Sequence, residues 1–193
     1  MRRLLLAVPL VLAACGPKRG PSAEPLTVLP EFAMTAVGPD GESPFGLADL
    51  KGKVWIADFI FTRCAGPCPL MTARLAKLGE RLPPEVSLLT VSVDPAGDTP
   101  GRLRAYARHH GADARRWVFL RGGTEETYRL LYAGFRLPMS TDPAAAPELR
   151  VTHSTRFVLV DRAGAVRGYY DALSDLENDA LARDARRLLE AGS

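Results

Sequence analysis

Two cysteines stand four residues apart in the stretch Phe61-Thr-Arg-Cys-Ala-Gly-Pro-Cys-Pro-Leu-Met71, and a histidine stands in Val151-Thr-His-Ser154. The thiols of Cys64 and Cys68 can hold a metal ion, cycle between dithiol and disulfide, or form a structural cross-link. On a helix, residues i and i+4 share one face, roughly 6 Å apart along the axis. Both sulfurs are then expected to point the same way. A helix N-terminus favours negative charge, so the expectation is a lowered thiol pKa and thiolate character. A structural disulfide here closes a loop of about five residues, worth roughly 2 kcal/mol, against nearly 5 for a long loop. A pair placed for stability more often ties distant segments.

His153 widens the choice of chemistry. Two soft thiolates and one imidazole suit copper. Structural zinc normally takes four protein ligands, and no fourth cysteine or histidine is well placed. Asp94 or Asp98 can offer an oxygen, but Asp94-Pro95 reads equally well as a strand stop. His109 and His110 lie beside Arg108 at the end of a predicted helix and read as cap and surface residues. Three ligands without a fourth suit a carrier, which holds Cu(I) and leaves room for an acceptor's ligand. The rival chemistry is thiol-disulfide exchange, with Cys64 and Cys68 as the catalytic pair. Thioredoxin-type enzymes use CxxC, however, and this chain has CxxxC. Peroxiredoxins carry a threonine three residues before the reactive cysteine, whereas Thr62 stands two before Cys64. A pure interaction module leaves the cysteines and His153 unexplained.

The elements that must position these residues follow from periodicity. Val54 to Phe61 has the near-continuous apolar character of a central strand. A helical pattern, Leu70 to Leu82, follows the cysteines and stops at Pro83-Pro84. Upstream, Leu26 to Val37 reads as a strand, and Gly38-Pro-Asp-Gly41 as a turn leading to a second short strand. Downstream come a strand at Val86 to Val93, a helix from Thr99-Pro100 to His110, a strand at Trp117 to Leu120 and a helix from Thr124 to Phe135. Arg136 to Thr152 carries three prolines and reads as one long irregular loop, which in a compact domain is usually functional or mobile. Thr155 to Val160 and Ala165 to Tyr169 form a hairpin around Asp161-Arg-Ala-Gly164. The last helix opens on the capping box Ser174-Asp-Leu-Glu177, with Leu176, Ala180, Leu181, Leu188 and Leu189 on its apolar face. The order predicts an α/β protein with a central mixed β-sheet flanked by helices and an extra N-terminal hairpin.

The chain has 193 residues, enough for one domain with a full core. Of its net charge of +3, Arg2 and Arg3 supply two, so no electrostatic case for nucleic acid exists. Residues 1–14 read as a signal peptide: a basic start, then an apolar run too short for the roughly 20 residues that span a bilayer. The run ends in Leu12-Ala13-Ala14-Cys15, similar to the bacterial lipobox, in which the cysteine is cleaved free and lipidated. Residues 15–25 read as a flexible tether after lipidated Cys15, and 26–193 as the folded domain. The expected location is a bacterial membrane's periplasmic face, reached through a lipid anchor.

Together, Phe59-Ile-Phe-Thr-Arg-Cys64, Cys64-x-x-x-Cys68-Pro69, Val91-Ser-Val-Asp-Pro95 with Asp98-Thr-Pro100, and His153-Ser154 ahead of Val158-Leu-Val-Asp161 resemble the Sco/SenC family of copper-binding cytochrome c oxidase assembly proteins. The resemblance runs from about Leu26 to Arg187. It implies a thioredoxin-like fold and a metallochaperone for the binuclear copper (CuA) centre of the oxidase. It further implies one copper ion per chain, Cu(I) or Cu(II), held by Cys64, Cys68 and His153. The implied partners are the oxidase's copper-bearing subunit or another copper chaperone. An assembly factor is expected rather than an enzyme, with thiol-disulfide oxidoreductase activity as the alternative. Two features depart from the family pattern: a lipid signal in place of a transmembrane anchor, and Ala-Gly-Pro between the cysteines where acidic residues are common.

Overall fold

The computed structural model describes residues 21–192, Ala23 excepted. The signal peptide, Cys15 and most of the tether lie outside the described residues. The described residues form ten strands and four α-helices. These are β1 (Thr27–Val28), β2 (Ala33–Val37), β3 (Glu42–Gly46), β4 (Val54–Ile60), α1 (Cys68–Arg81), β5 (Val86–Ser92), α2 (Pro100–His109), β6 (Trp117–Arg121), α3 (Thr124–Arg129), β7 (Met139–Thr141), β8 (Val151–His153), β9 (Arg156–Val160), β10 (Ala165–Asp171) and α4 (Asp175–Glu190). Eight of the strands form one sheet in the order β1-β10-β9-β4-β5-β6-β2-β3.

Strand β4 is central, and all seven of its residues are buried, as its apolar run requires. It pairs in parallel with β5, from Val54 opposite Val86 to Ile60 opposite Ser92, and β5 pairs in parallel with β6. On its other side β4 runs antiparallel to β9, and β9 to β10. The carboxyl ends of β4 and β5 and the entry to β9 therefore meet at one edge. Open α/β sheets bind ligands at such an edge. The β2–β3 pair is the expected N-terminal hairpin, docked onto β6.

Three expectations change. Leu176 is 80% exposed and leaves the core face of α4, which Leu181, Ala182 and Ala185 form, with Ala180, Leu188 and Leu189 packed against the core as expected. The predicted helix Thr124 to Phe135 is α-helical only to Arg129 and closes in a wider π-turn over Leu130–Gly134. Its exit passes through Arg136 in the left-handed region at φ 51°, where Leu137 N–H donates to the Leu131 carbonyl at 3.0 Å. Glycine is the usual residue at such an exit, and a side chain there costs roughly 1–2 kcal/mol. Finally, the long loop holds a two-stranded hairpin of its own, β7 with β8, in which Met139 faces His153. Strands of three residues are too short to show a period of two, and Pro138, Pro143 and Pro147 mask them further.

Candidate metal centre

Cys64 and Cys68 follow β4 but do not share a helix. Cys64 sits in a turn, its N–H donating to the Phe61 carbonyl at 3.1 Å, and α1 begins only at Cys68. The residue before a proline is pushed out of the helical region, so Gly66-Pro67 keeps the preceding turn open. Pro69 then sits in the first helical turn, where its missing N–H costs nothing. Cys64 is partly exposed and Cys68 is buried; both are free thiols.

The turn is held by a buried carboxylate. Asp98 accepts from Thr62 N–H at 3.0 Å, from Thr62 Oγ1–H at 2.6 Å and from Ser92 Oγ–H at 2.6 Å, and is fully buried. Burial raises its pKa, against the pull of these hydrogen bonds. Beside it, Arg63 pairs with Asp94 at 2.6 Å. A Cβ on Gly97 would collide with both members of that pair, so the close approach requires glycine. Asp94 and Asp98 are thus committed to shaping the loop, and neither offers an oxygen to the thiols. His109 and His110 stay at the end of α2, as expected, with His110 packed on Tyr106 at a ring separation of 4.5 Å.

His153 reaches the thiols from β8. Its Nε2 lies 3.3 Å from Cys68 Sγ, and its ring meets Phe61 edge-on at 6.1 Å. Its Nδ1 lies 2.9 Å from the Ser154 carbonyl oxygen, which can only accept. The ring proton therefore belongs on Nδ1, and the Nε2 lone pair faces the sulfur, as in a metal-ligating imidazole oriented by a carbonyl. Burial lowers the His153 pKa, favouring the neutral ring.

The expected lowering of thiol pKa does not hold for Cys68. Burial pushes its thiol well up, and the neighbouring Cys64 thiol adds to the effect. Desolvation outweighs the helix N-terminus. Among the described residues, no three His, Cys, Asp or Glu side chains are already gathered as a cage. The arrangement is a pre-formed Cys68–His153 pair with Cys64 beside it on a turn.

Asp58 is the residue that sequence reasoning missed. It lies in the middle of β4, fully buried, and accepts from Thr90 Oγ1–H at 2.5 Å. Thr90 Oγ1 in turn accepts from Trp117 Nε1–H at 2.8 Å. Its second oxygen has no partner among the described residues. Burial raises its pKa from 3.8 to about 7, and its charge helps to raise the Cys68 thiol. The signal was a lone acid within an apolar run, which is rare unless the acid has a role.

The fold and site together define a thioredoxin-like protein carrying a dithiol and an imidazole at the carboxyl edge of its parallel strands. Residues 24–190 match the SCO1/SenC family model. The chain is 32% identical over 181 residues to the SCO1 protein homolog of Bacillus subtilis, covering 92% of this chain and 90% of the relative. A SCO1/SenC family lipoprotein of Bacillus anthracis superposes with a TM-score of 0.75 at 35% identity, over 87% of this chain and 99% of the other. BsSco, a member of the Sco family of cytochrome c oxidase assembly proteins in which a disulfide switch has been identified, gives 0.71 at 30% identity, over 86% and 96%. The chain belongs to the SCO1/SenC family.

Proposed function

We propose that this chain is a copper metallochaperone that binds one ion through Cys64, Cys68 and His153 and assists assembly of the CuA centre of cytochrome c oxidase. The observation that carries the reading is the 3.3 Å approach of Cys68 Sγ to His153 Nε2, with Nδ1 turned to a carbonyl. Soft sulfur with imidazole suits copper over hard cations, and members of the family have been solved with copper bound. Each thiol gives up its proton on ligation. The neutral imidazole gives up none, because its free nitrogen already faces the site. Elemental analysis of reduced protein tests the reading: one copper per wild-type chain is expected, and less than half of that in Cys64→Ser or Cys68→Ser. A reduced wild-type chain that takes up no copper sinks it.

The second reading, a thiol-disulfide oxidoreductase that keeps the oxidase copper-site cysteines reduced, is favoured by two free thiols four residues apart at the junction of β4 and α1. In that reaction the two thiols lose two protons and two electrons to a disulfide on the partner, and their sulfurs bond to each other.

The lipid anchor belongs to the same proposal. Residues 1–14 are removed, Cys15 carries the lipid, residues 15–25 tether the domain of residues 26–193, and the domain faces the periplasm. Leu12-Ala13-Ala14-Cys15 supports this, as does the relative described as a lipoprotein. Among the described residues no helix is long and apolar enough to cross a membrane. Cys15→Ser is expected to release the domain from membranes or block its processing, read by fractionation and N-terminal mass. Membrane retention with an unprocessed N-terminus points to an uncleaved anchor.

A further inference from the structure

An open cleft of about 970 Å³ adjoins the site, and His153 forms part of its wall. Its floor is apolar and aromatic, with Leu137, Met139, Tyr132 and Tyr169, and among the described residues its only charged lining side chains are Arg136 and Arg156. Both arginines are exposed, and among the described residues neither makes an ion pair or a side-chain hydrogen bond. Both lie near enough to the Tyr169 hydroxyl for their charges to act on it. That hydroxyl donates to the Phe135 carbonyl at 2.9 Å, which ties the ring to the end of the π-turn.

Solvated arginines are common and need no explanation singly. These two differ in three respects. They share one cleft with a ligand candidate, no carboxylate among the described residues lines that cleft, and Arg136 occupies a left-handed backbone position that glycine fills without strain. The chain holds a guanidinium there at a conformational cost and gives it no partner of its own. A carrier must bring the receiver's ligands within bonding reach of its own, so its docking surface has to border the ligands. The volume is at the top of the range for a small molecule, and the cleft is open, which fits a chain segment better than a free ion.

We infer that the cleft bounded by Arg136, Arg156 and His153 is the docking surface for an acidic segment of the protein that receives the ion. The inference rests on the metallochaperone reading and adds to it the sign and place of the contact. Opposite charges at the rim of an interface act chiefly on the association rate and make it salt-sensitive.

The test uses the full chain loaded with copper and, as the probe, the soluble copper-bearing domain of the oxidase subunit in its metal-free form. Association is followed by stopped-flow at low and high salt. Arg136→Glu with Arg156→Glu is expected to slow association at least tenfold at low salt and to flatten the salt dependence. Arg136→Gly relieves the backbone and removes one guanidinium, so it is expected to melt higher and associate more slowly. Copper content should stay within twofold of wild type in both variants. Unchanged association in both variants overturns the docking surface. So does a copper-loaded wild type that does not bind the probe, or arginine-dependent binding to vesicles of anionic phospholipid in its place. A wild type that takes up no copper overturns the metallochaperone reading itself.

Discussion

His153→Ala is expected to bind Cu(II) at least about a hundredfold more weakly than the parent and to lose the thiolate-to-copper absorption. Removing a mere hydrogen-bond partner behind a ligand already costs 10–100-fold, and here the proposed ligand itself goes. The side chain leaves Cys68 Sγ without its 3.3 Å nitrogen neighbour, and only two thiolates remain. Cu(I), softer and content with two sulfurs, should persist as a weaker complex. The cysteine couple should still cycle with dithiothreitol, because His153 takes no part in the sulfur–sulfur bond. Added imidazole should restore part of the Cu(II) spectrum by filling the vacated position. Wild-type Cu(II) binding in the variant would remove His153 from the ligand set. A variant that also fails to cycle would show that the imidazole serves the thiols rather than the metal.

Asp58→Asn should gain stability relative to the parent as pH rises. The folded-state pKa of Asp58 is raised, from 3.8 to about 7. Below pH 4 the carboxyl is protonated in both folded and unfolded chains and the two proteins should differ little. Between pH 4 and 7 the unfolded parent releases its proton while the folded parent keeps it. Each pH unit then removes up to about 1.4 kcal/mol of parental stability. Above pH 7 both states are ionised and the loss is complete, up to about 4 kcal/mol. Asparagine keeps the oxygen that Thr90 Oγ1–H bonds and never ionises, so it escapes that loss. Urea unfolding of reduced, metal-free protein at pH 5 and pH 8 measures the difference. A stability gap that stays constant between the two would mean that Asp58 is already ionised, or already neutral, throughout.

The sheet was legible because its central strands are continuous apolar runs bounded by proline, glycine or polar residues. The expected strand at residues 54–61 and the structural β4, Val54–Ile60, differ by one residue. The ligand candidates were legible because cysteine and histidine are scarce in this chain and stand at element boundaries. What escaped was local geometry and environment. The placement of Cys64 off the helix depends on Gly66-Pro67, whose effect competes with a helical spacing that looks sound on paper. The rise in the Cys68 pKa depends on burial in the folded protein, where His153, 85 residues along the chain, comes to lie against the sulfur, an approach no spacing reveals. The β7–β8 hairpin has too few residues per strand to print a pattern. Asp58 was visible as a charge in an apolar run, yet its partners Thr90 and Trp117 come from β5 and β6 and needed the register.

Cys68 and His153 are 85 residues apart in sequence. Two of the proposed donors therefore lie near each other in sequence, while the third arrives only when the β4–β9 pairing has formed. Closing so long a loop is entropically costly and is a late event in folding. On the proposed ligand set, a folding chain presents its two thiols first and acquires the imidazole only on completing its sheet. An ion spanning all three donors works as a cross-link over that loop, and clips across long loops restrict the unfolded chain most. If the proposed ligand set holds, copper-loaded protein should accordingly resist unfolding along the β4–β9 seam more than empty protein does, and giving up the ion should loosen that seam.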